Sequence, residues 1–278
     1  MSSPTRAVRA LLNDLRAVAE DVARLAAVSY SGRPSGAALL LSDGLVVRGA
    51  RVESASYSLV IPAVQNAVTT AVAIGRMDFL ALAVSEDALS DLDSIYIAPF
   101  LPDGIQGTAS RHSPSAASVS TLAGDIDPRL PLPDFVSGAG GGADPDDGIR
   151  LARVAAEHAH VPLSRFPVGC VALYHDGFFV PGVNVEHPDW SLVLCAERNL
   201  LGTLVSYGLA APDAIYLACL RDPSASPCGA CRQLLVEQTP CVPVWLDRGS
   251  APAELTTPEA LLPGSFTGAA ILGLTPRQ

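Results

Sequence analysis

Three cysteines and one glutamate have the types and spacing to do chemistry: Cys195 and Glu197 in "CAERN", and Cys228 with Cys231 in "PCGACRQ". Each group opens an apolar-periodic stretch, "AERNLL" and "RQLLVEQ". Both are therefore expected at helix N-termini, where unpaired backbone N–H groups and the helix dipole favour thiolates. Three thiolates at two helix starts supply three corners of a zinc tetrahedron and leave the fourth for water, which separates a catalytic zinc site from a closed structural one. Glu197, two residues past Cys195, is placed to take a proton from that water and return it to a leaving group. Each piece alone has a plainer reading. A lone Cys-x-x-Cys is also a redox pair or half of a structural zinc site, and Cys-Ala-Glu-Arg alone is a helix start. Cys170, Cys219 and Cys241 sit in apolar, strand-like surroundings and read as small core residues.

The elements that must position these groups fall into two similar halves. The 278 residues are enough for two domains that each bury a core without cross-links. Residues 31–75 repeat as 164–208 without a gap, matching Pro34 with Pro167, Gly36 with Gly169, Asp43-Gly44 with Asp176-Gly177 and Glu53 with Glu186. In each half a helix precedes two short apolar strands joined at Asp-Gly, and a second helix follows, ended by Gly. "DSIYIA" (93–98) matches "DAIYLA" (213–218), and both read as a buried strand. "VPVWL" reads as a further strand. The Gly-rich and then acidic "VSGAGGGADPDDG" reads as a flexible linker. Strands and helices in this order imply a mixed sheet layered with helices, an α/β architecture.

Composition excludes several classes of function. All six cysteines follow residue 169, which favours metal or thiol chemistry in the second half over a disulfide framework. The formal net charge is −10, and all 18 basic residues are Arg. That leaves no Schiff-base or Walker-type lysine and argues against a phosphate-tracking surface. A small-molecule partner is expected, with no nucleic acid and no membrane. No apolar run approaches the roughly 18 residues of a membrane span, and the opening "MSSPTRAVRALLNDLRAVAED" reads as a charged amphipathic helix, so a cytoplasmic location is expected.

"CAER" followed by "PCGACRQ" resembles the zinc-dependent cytidine deaminase family. "LSRFPVGCVAL", "NVE" and "LLPGSF" resemble its first-strand, ribose-binding and C-terminal segments. The resemblance implies tandem cytidine-deaminase-like domains: a degenerate copy over 1–136, a Gly/Asp-rich linker at 137–147 and a catalytic copy over 148–278. It implies one zinc ion per chain, held in the C-terminal domain by Cys195, Cys228 and Cys231. Glu197 would carry protons to N3 of cytosine and to the departing amine. Arg198 would hydrogen-bond the ligand sulfurs and offset the negative charge of three thiolates on Zn²⁺; a plain surface role is the alternative. Phe166 would pack on the pyrimidine, with a core role as its alternative, and Ala196 would also contact substrate. Asn184 and Glu186 would bind the ribose 3′-hydroxyl and favour nucleosides over free cytosine.

The implied reaction is hydrolytic deamination of cytidine and 2′-deoxycytidine to uridine and 2′-deoxyuridine in pyrimidine salvage. "NVEHPDW" departs from the usual "NVENASY" at His187, and Leu163 replaces a common Tyr. A deaminase of a modified cytosine nucleoside, such as a blasticidin-type antibiotic, is therefore the alternative. An editing deaminase acting on nucleic acid and a non-catalytic zinc-structured module are weaker readings. In the first half Pro62, Asp103 and Gln106 align with the three ligands, Val64 with Glu197 and Arg51 with Asn184, so neither metal binding nor proton transfer is expected there. By analogy with two-domain members of the family, a homodimer would form a pseudo-tetramer of domains.

Overall fold

The computed structural model describes residues 6–101, 144–174, 177–269 and 271–273. Of the segment read as linker, residues 137–143 lie outside the described residues. Its last residues begin a helix, because the Asp144 side chain accepts from Asp146 N and caps it, and Pro145 fits a first turn.

In the N-terminal half, α1 (Arg6–Ala23) turns Leu12, Leu15, Ala19 and Val22 inward onto a sheet ordered β2-β1-β3. Strands β1 (Gly36–Leu41) and β2 (Val46–Ala50) form the expected hairpin, with Gly44 at φ 95°. Every residue of β1 is buried because α1 covers one face and α2 (Ala63–Ala73) the other. β3 (Phe79–Val84) pairs antiparallel with β1, and α3 (Asp91–Ile97) runs into a 3₁₀ turn, Ala98–Phe100.

The C-terminal half repeats this plan and extends it: α4 (Pro145–Ala156), β4 (Val168–Leu173), β5 (Phe179–Val183), α5 (Ala196–Ser206), β6 (Ala214–Cys219), α6 (Gly229–Gln238), β7 (Val244–Arg248), β8 (Ala251–Thr256) and α7 (Pro258–Leu261). Its sheet is ordered β5-β4-β6-β7-β8, with β6 and β7 parallel and the other neighbours antiparallel. The helix-layered α/β architecture expected is present in both halves, but only the C-terminal sheet is mixed: among the described residues the strand pairs of the N-terminal sheet are all antiparallel. Of the second Asp-Gly turn, Asp176 lies outside the described residues.

The strand expected at "DSIYIA" is a helix. Ser90 accepts from Asp93 N while Asp93 accepts from Ser90 N, a capping box that starts α3. The strand position itself is filled by "FLALAV" of β3. Ala38 pairs with Ala83 as Val171 pairs with Tyr216, so the repeat continues through β3 and β6 at its original offset. The local likeness of "DSIYIA" to "DAIYLA" therefore misaligns the halves beyond residue 84.

Two retained glycines set how closely the helices approach. A Cβ on Gly182 would lie 2.5 Å from Ala196 O, and one on Gly49 would lie 2.1 Å from Ala63 O. Only glycine lets the starts of α5 and α2 rest on β5 and β2. The halves meet along α2 and α5 through buried polar pairs. Asn66 Nδ2 donates to Ala50 O, Gly202 O and Ser206 Oγ, Asn199 Nδ2 donates to Thr69 Oγ1, and the Thr70 and Thr203 hydroxyls are 2.8 Å apart.

Candidate active site

Cys195 is the N-cap of α5 and Cys228 the N-cap of α6, both in extended backbone, and neither side chain caps its own helix. Their sulfurs are thus left free to face each other at two helix starts, with Cys231 in the first turn of α6. The Sγ atoms of Cys195 and Cys228 are 3.8 Å apart, those of Cys228 and Cys231 are 3.5 Å apart, and all three lie within 4.8 Å of one another. Sulfurs on a tetrahedral zinc with Zn–S near 2.3 Å stand about 3.8 Å apart, so this set fits that ion. Among the described residues it is the one cluster of three metal-ligating side chains. Contacts with Cys195 and then Cys231 hold the Cys228 thiol well below its ordinary range, while the contact with Cys228, together with burial and against the contact with Cys231, pushes Cys195 up to about 12. One thiolate shared by two thiols is a donor set that releases protons when it takes a metal.

Glu197 is buried, with Oε2 3.2 Å from Cys231 Sγ. Burial pushes its carboxyl up to about 7. Arg198 reaches the N-terminal half: Nη2 donates to Leu59 O at 3.1 Å, and its buried Nε has no partner. An orphaned donor beside a helix start crowded with thiols suits anionic sulfur. At the equivalent position of α2, Gln65 Nε2 donates to Leu192 O. Ala196 is fully buried at the first position of α5, where the backbone N–H has no acceptor within the helix.

The remaining expected residues lie on two adjoining segments, one before β4 and one after β5. Asn184 donates to Phe166 O and accepts from Val168 N, fixing the segment that carries Phe166, which is 38% exposed. Glu186 is buried and accepts from Leu163 N and Ser164 N. The degenerate half provides an internal comparison. Glu53 accepts the same pair of loop N–H groups, from Tyr30 and Ser31, but is also bonded by Ser31 Oγ and ion-paired to Arg51. Among the described residues Glu186 has no such cation, and its Oε1 takes only one long bond, 3.3 Å from Ser164 N. Its carboxylate keeps acceptor capacity that Glu53 has used.

At the positions of Cys195 and Glu197 in the N-terminal half stand Pro62, the N-cap of α2, and a buried Val64. The helix after β3 is α3, so the N-cap and third position matching Cys228 and Cys231 are Ser90 and Asp93. Asp103 and Gln106, aligned with these ligands in the sequence, lie outside the described residues. Cys170 and Cys219 are buried as expected, but Cys241 is not core: it is exposed in the turn after α6 with φ 63°, and its N–H donates to Glu259. Sequence reading missed Asn199, whose Oδ1 accepts from Val183 N and ties α5 to β5. Its identity with Asn66 in the repeat was the available signal.

Residues 144–243 match the family described as the cytidine and deoxycytidylate deaminase zinc-binding region, and residues 2–86 match a second family of the same description. Both halves are thus of the zinc-binding deaminase class, one with its cysteines and one without. A cytidine deaminase of Sporosarcina psychrophila is 38% identical over 120 residues, 43% of this chain and 88% of that protein. One of Halalkalibacterium halodurans is 38% identical over 122 residues, 43% of this chain and 91% of that protein. The solved cytidine deaminase of Burkholderia pseudomallei is 34% identical, covering 42% of this chain and 95% of that one, with a TM-score of 0.40. The chain belongs to the cytidine deaminase family.

Proposed function

We propose that this chain hydrolyses cytidine and 2′-deoxycytidine to uridine and 2′-deoxyuridine with release of ammonia, as a pyrimidine salvage enzyme. The observation that carries this reading is the meeting of three thiols at two helix starts with the buried Glu197. Zinc, one ion per chain held by Cys195, Cys228 and Cys231, supplies the Lewis acidity that makes water nucleophilic at neutral pH. Glu197, with its carboxyl raised towards neutrality by burial, accepts one proton of the attacking water at Oε2 and delivers it to N3 of the ring, then carries the second, from the hydroxyl added at C4, to the amine that leaves as ammonia. The partnerless Nε of Arg198 is available to the ligand sulfurs and lessens their charge. Phe166 packs on the pyrimidine, the N–H at Ala196 meets a ring acceptor, and Asn184 and Glu186 hold the ribose.

The antibiotic-nucleoside alternative drew on the "NVEHPDW" departure at His187 and on Leu163. His187 is 4% exposed, accepts from Asp189 N and faces Ile95 O, so it is turned into the contact between the halves. Among the described residues no helix is long and apolar enough to cross a membrane. Six free cysteines support a reducing, cytoplasmic setting. Two chains are read as pairing into a pseudo-tetramer.

Ammonia release measured over cytidine, 2′-deoxycytidine, cytosine and a blasticidin-type nucleoside tests the substrate reading. Metal analysis is expected to give one zinc per chain; two, or none with full activity, would overturn the site. Glu197→Gln is expected to keep zinc and lower kcat by roughly 10²- to 10⁴-fold. A variant with full turnover would move the proton shuttle elsewhere.

A further inference from the structure

Two histidines hold the segment Asn184–Glu186 from behind. The His160 backbone brackets it, donating to Asn184 O at 3.1 Å and accepting from Glu186 N at 2.8 Å. His187 follows Glu186 directly. Its Nδ1 accepts from Asp189 N at 2.9 Å, which assigns the ring proton to Nε2, 3.4 Å from Ile95 O. Both rings lie against one stretch of the degenerate half. His187 stacks on Tyr96 with centroids 5.4 Å apart and planes 12° apart, and His160 meets Phe100 at 5.6 Å. Tyr96 and Phe100 are buried and 5.5 Å from each other.

The reverse contact uses different chemistry. Ser54 occupies the position of His187 in the repeat, and there Glu237 of α6 accepts from Ser54 Oγ and Ala55 N. Each half thus grips the other's segment after the shared glutamate. A carboxylate does so where that glutamate is neutralised by Arg51, and neutral rings do so where Glu186 is not. A second carboxylate behind Glu186 would repel it, whereas a ring stack fixes the backbone without adding charge.

We propose that Tyr96 and Phe100 of the degenerate half aim Glu186 at the ribose through His187 and His160, which makes His187 a positioning residue for nucleoside binding. The proposal rests on the reading of Glu186 as a ribose ligand. It gives the degenerate copy a task in substrate binding although it lacks reactive groups of its own.

Steady-state kinetics of the full chain with cytidine and 3′-deoxycytidine test it. His187→Ala is expected to raise KM for cytidine about tenfold with kcat within about twofold, because displacing a positioned group weakens the bond it makes. KM for 3′-deoxycytidine, which lacks the hydroxyl, stays unchanged. His187→Phe keeps the stack on Tyr96 and restores KM for cytidine to within about threefold of the parent. Should His187→Ala fail to fold, Tyr96→Leu removes the same stack from the other side and must give the same pattern. Equal KM increases for both substrates, a parallel fall in kcat, or no change for cytidine would each overturn the proposal. Glu186→Gln separates the two levels. If it leaves discrimination between the substrates intact, the ribose reading fails and this inference with it; if it abolishes discrimination and His187→Ala does not alter it, only the positioning fails.

Discussion

Arg165 has φ 55°, whereas its counterpart in the degenerate half is Gly32 at φ 62°. A non-glycine residue held there costs roughly 1–2 kcal/mol. Arg165→Gly is therefore expected to raise stability by about 1 kcal/mol, less the extra freedom of the unfolded chain. A higher urea midpoint at constant m would show it. An unchanged midpoint would mean that contacts of the Arg165 side chain offset the strain. His160 gives a pH dependence. Burial lowers its pKa, with Glu186 opposing, so the folded state prefers the neutral ring. The stability this contributes is present above the ordinary imidazole value of about 6.5 and is lost as pH falls through it towards the lowered folded value. Urea midpoints are expected to drop between pH 7.5 and 5.5, and to drop less in His160→Phe; equal drops would assign the effect to other groups. At this scale the sequence was legible where a side chain's own chemistry singles it out, as with Cys195, Glu197 and Cys231, which the fold brings together. Ser90 and Asp93 were not legible, because what identifies them is their place at a helix start and nothing in their chemistry resembles a thiol.

Helices and hairpins followed from apolar periodicity and from the Asp-Gly turns, whose causes are local. The strand expected at "DSIYIA" failed because its apolar residues suit either element, and a capping box together with a strand position already taken by β3 decided between them. The approach of helix to strand depends on the absence of a Cβ. Gly182→Ala puts that atom within 2.6 Å of Leu200 N and forces α5 away from β5. Overpacking of this kind costs about 1–3 kcal/mol, and here it also displaces Cys195 and Glu197. Gly49→Ala makes the same collision under α2, where no metal ligand stands. Calorimetry is expected to show both variants destabilised, and zinc titration is expected to show weaker binding in Gly182→Ala alone; equal zinc affinities would detach the β5–α5 contact from the site.

In the whole molecule the halves hold each other reciprocally. Gln65 donates to Leu192 O as Arg198 donates to Leu59 O, and these residues correspond in the repeat. The degenerate copy therefore fixes one end of Arg198, whose buried Nε has no partner. If two chains complete the arrangement, sedimentation equilibrium is expected to give about twice the 28.7 kDa chain mass. A monomer with full activity would show that one chain suffices. By itself the sequence determined the duplicated plan, the α/β class, the loss of reactive groups from one copy and the identity of the donors in the other, since all of these are written in residue type and short spacing. Only the tertiary structure decided that Cys195 meets Cys228 and Cys231, that Ser90 and Asp93 stand at the lost ligand positions, and that His187 faces Tyr96. Those contacts join segments far apart in the chain, and close packing of helices on strands and of one half on the other, which no local pattern encodes, brings them together.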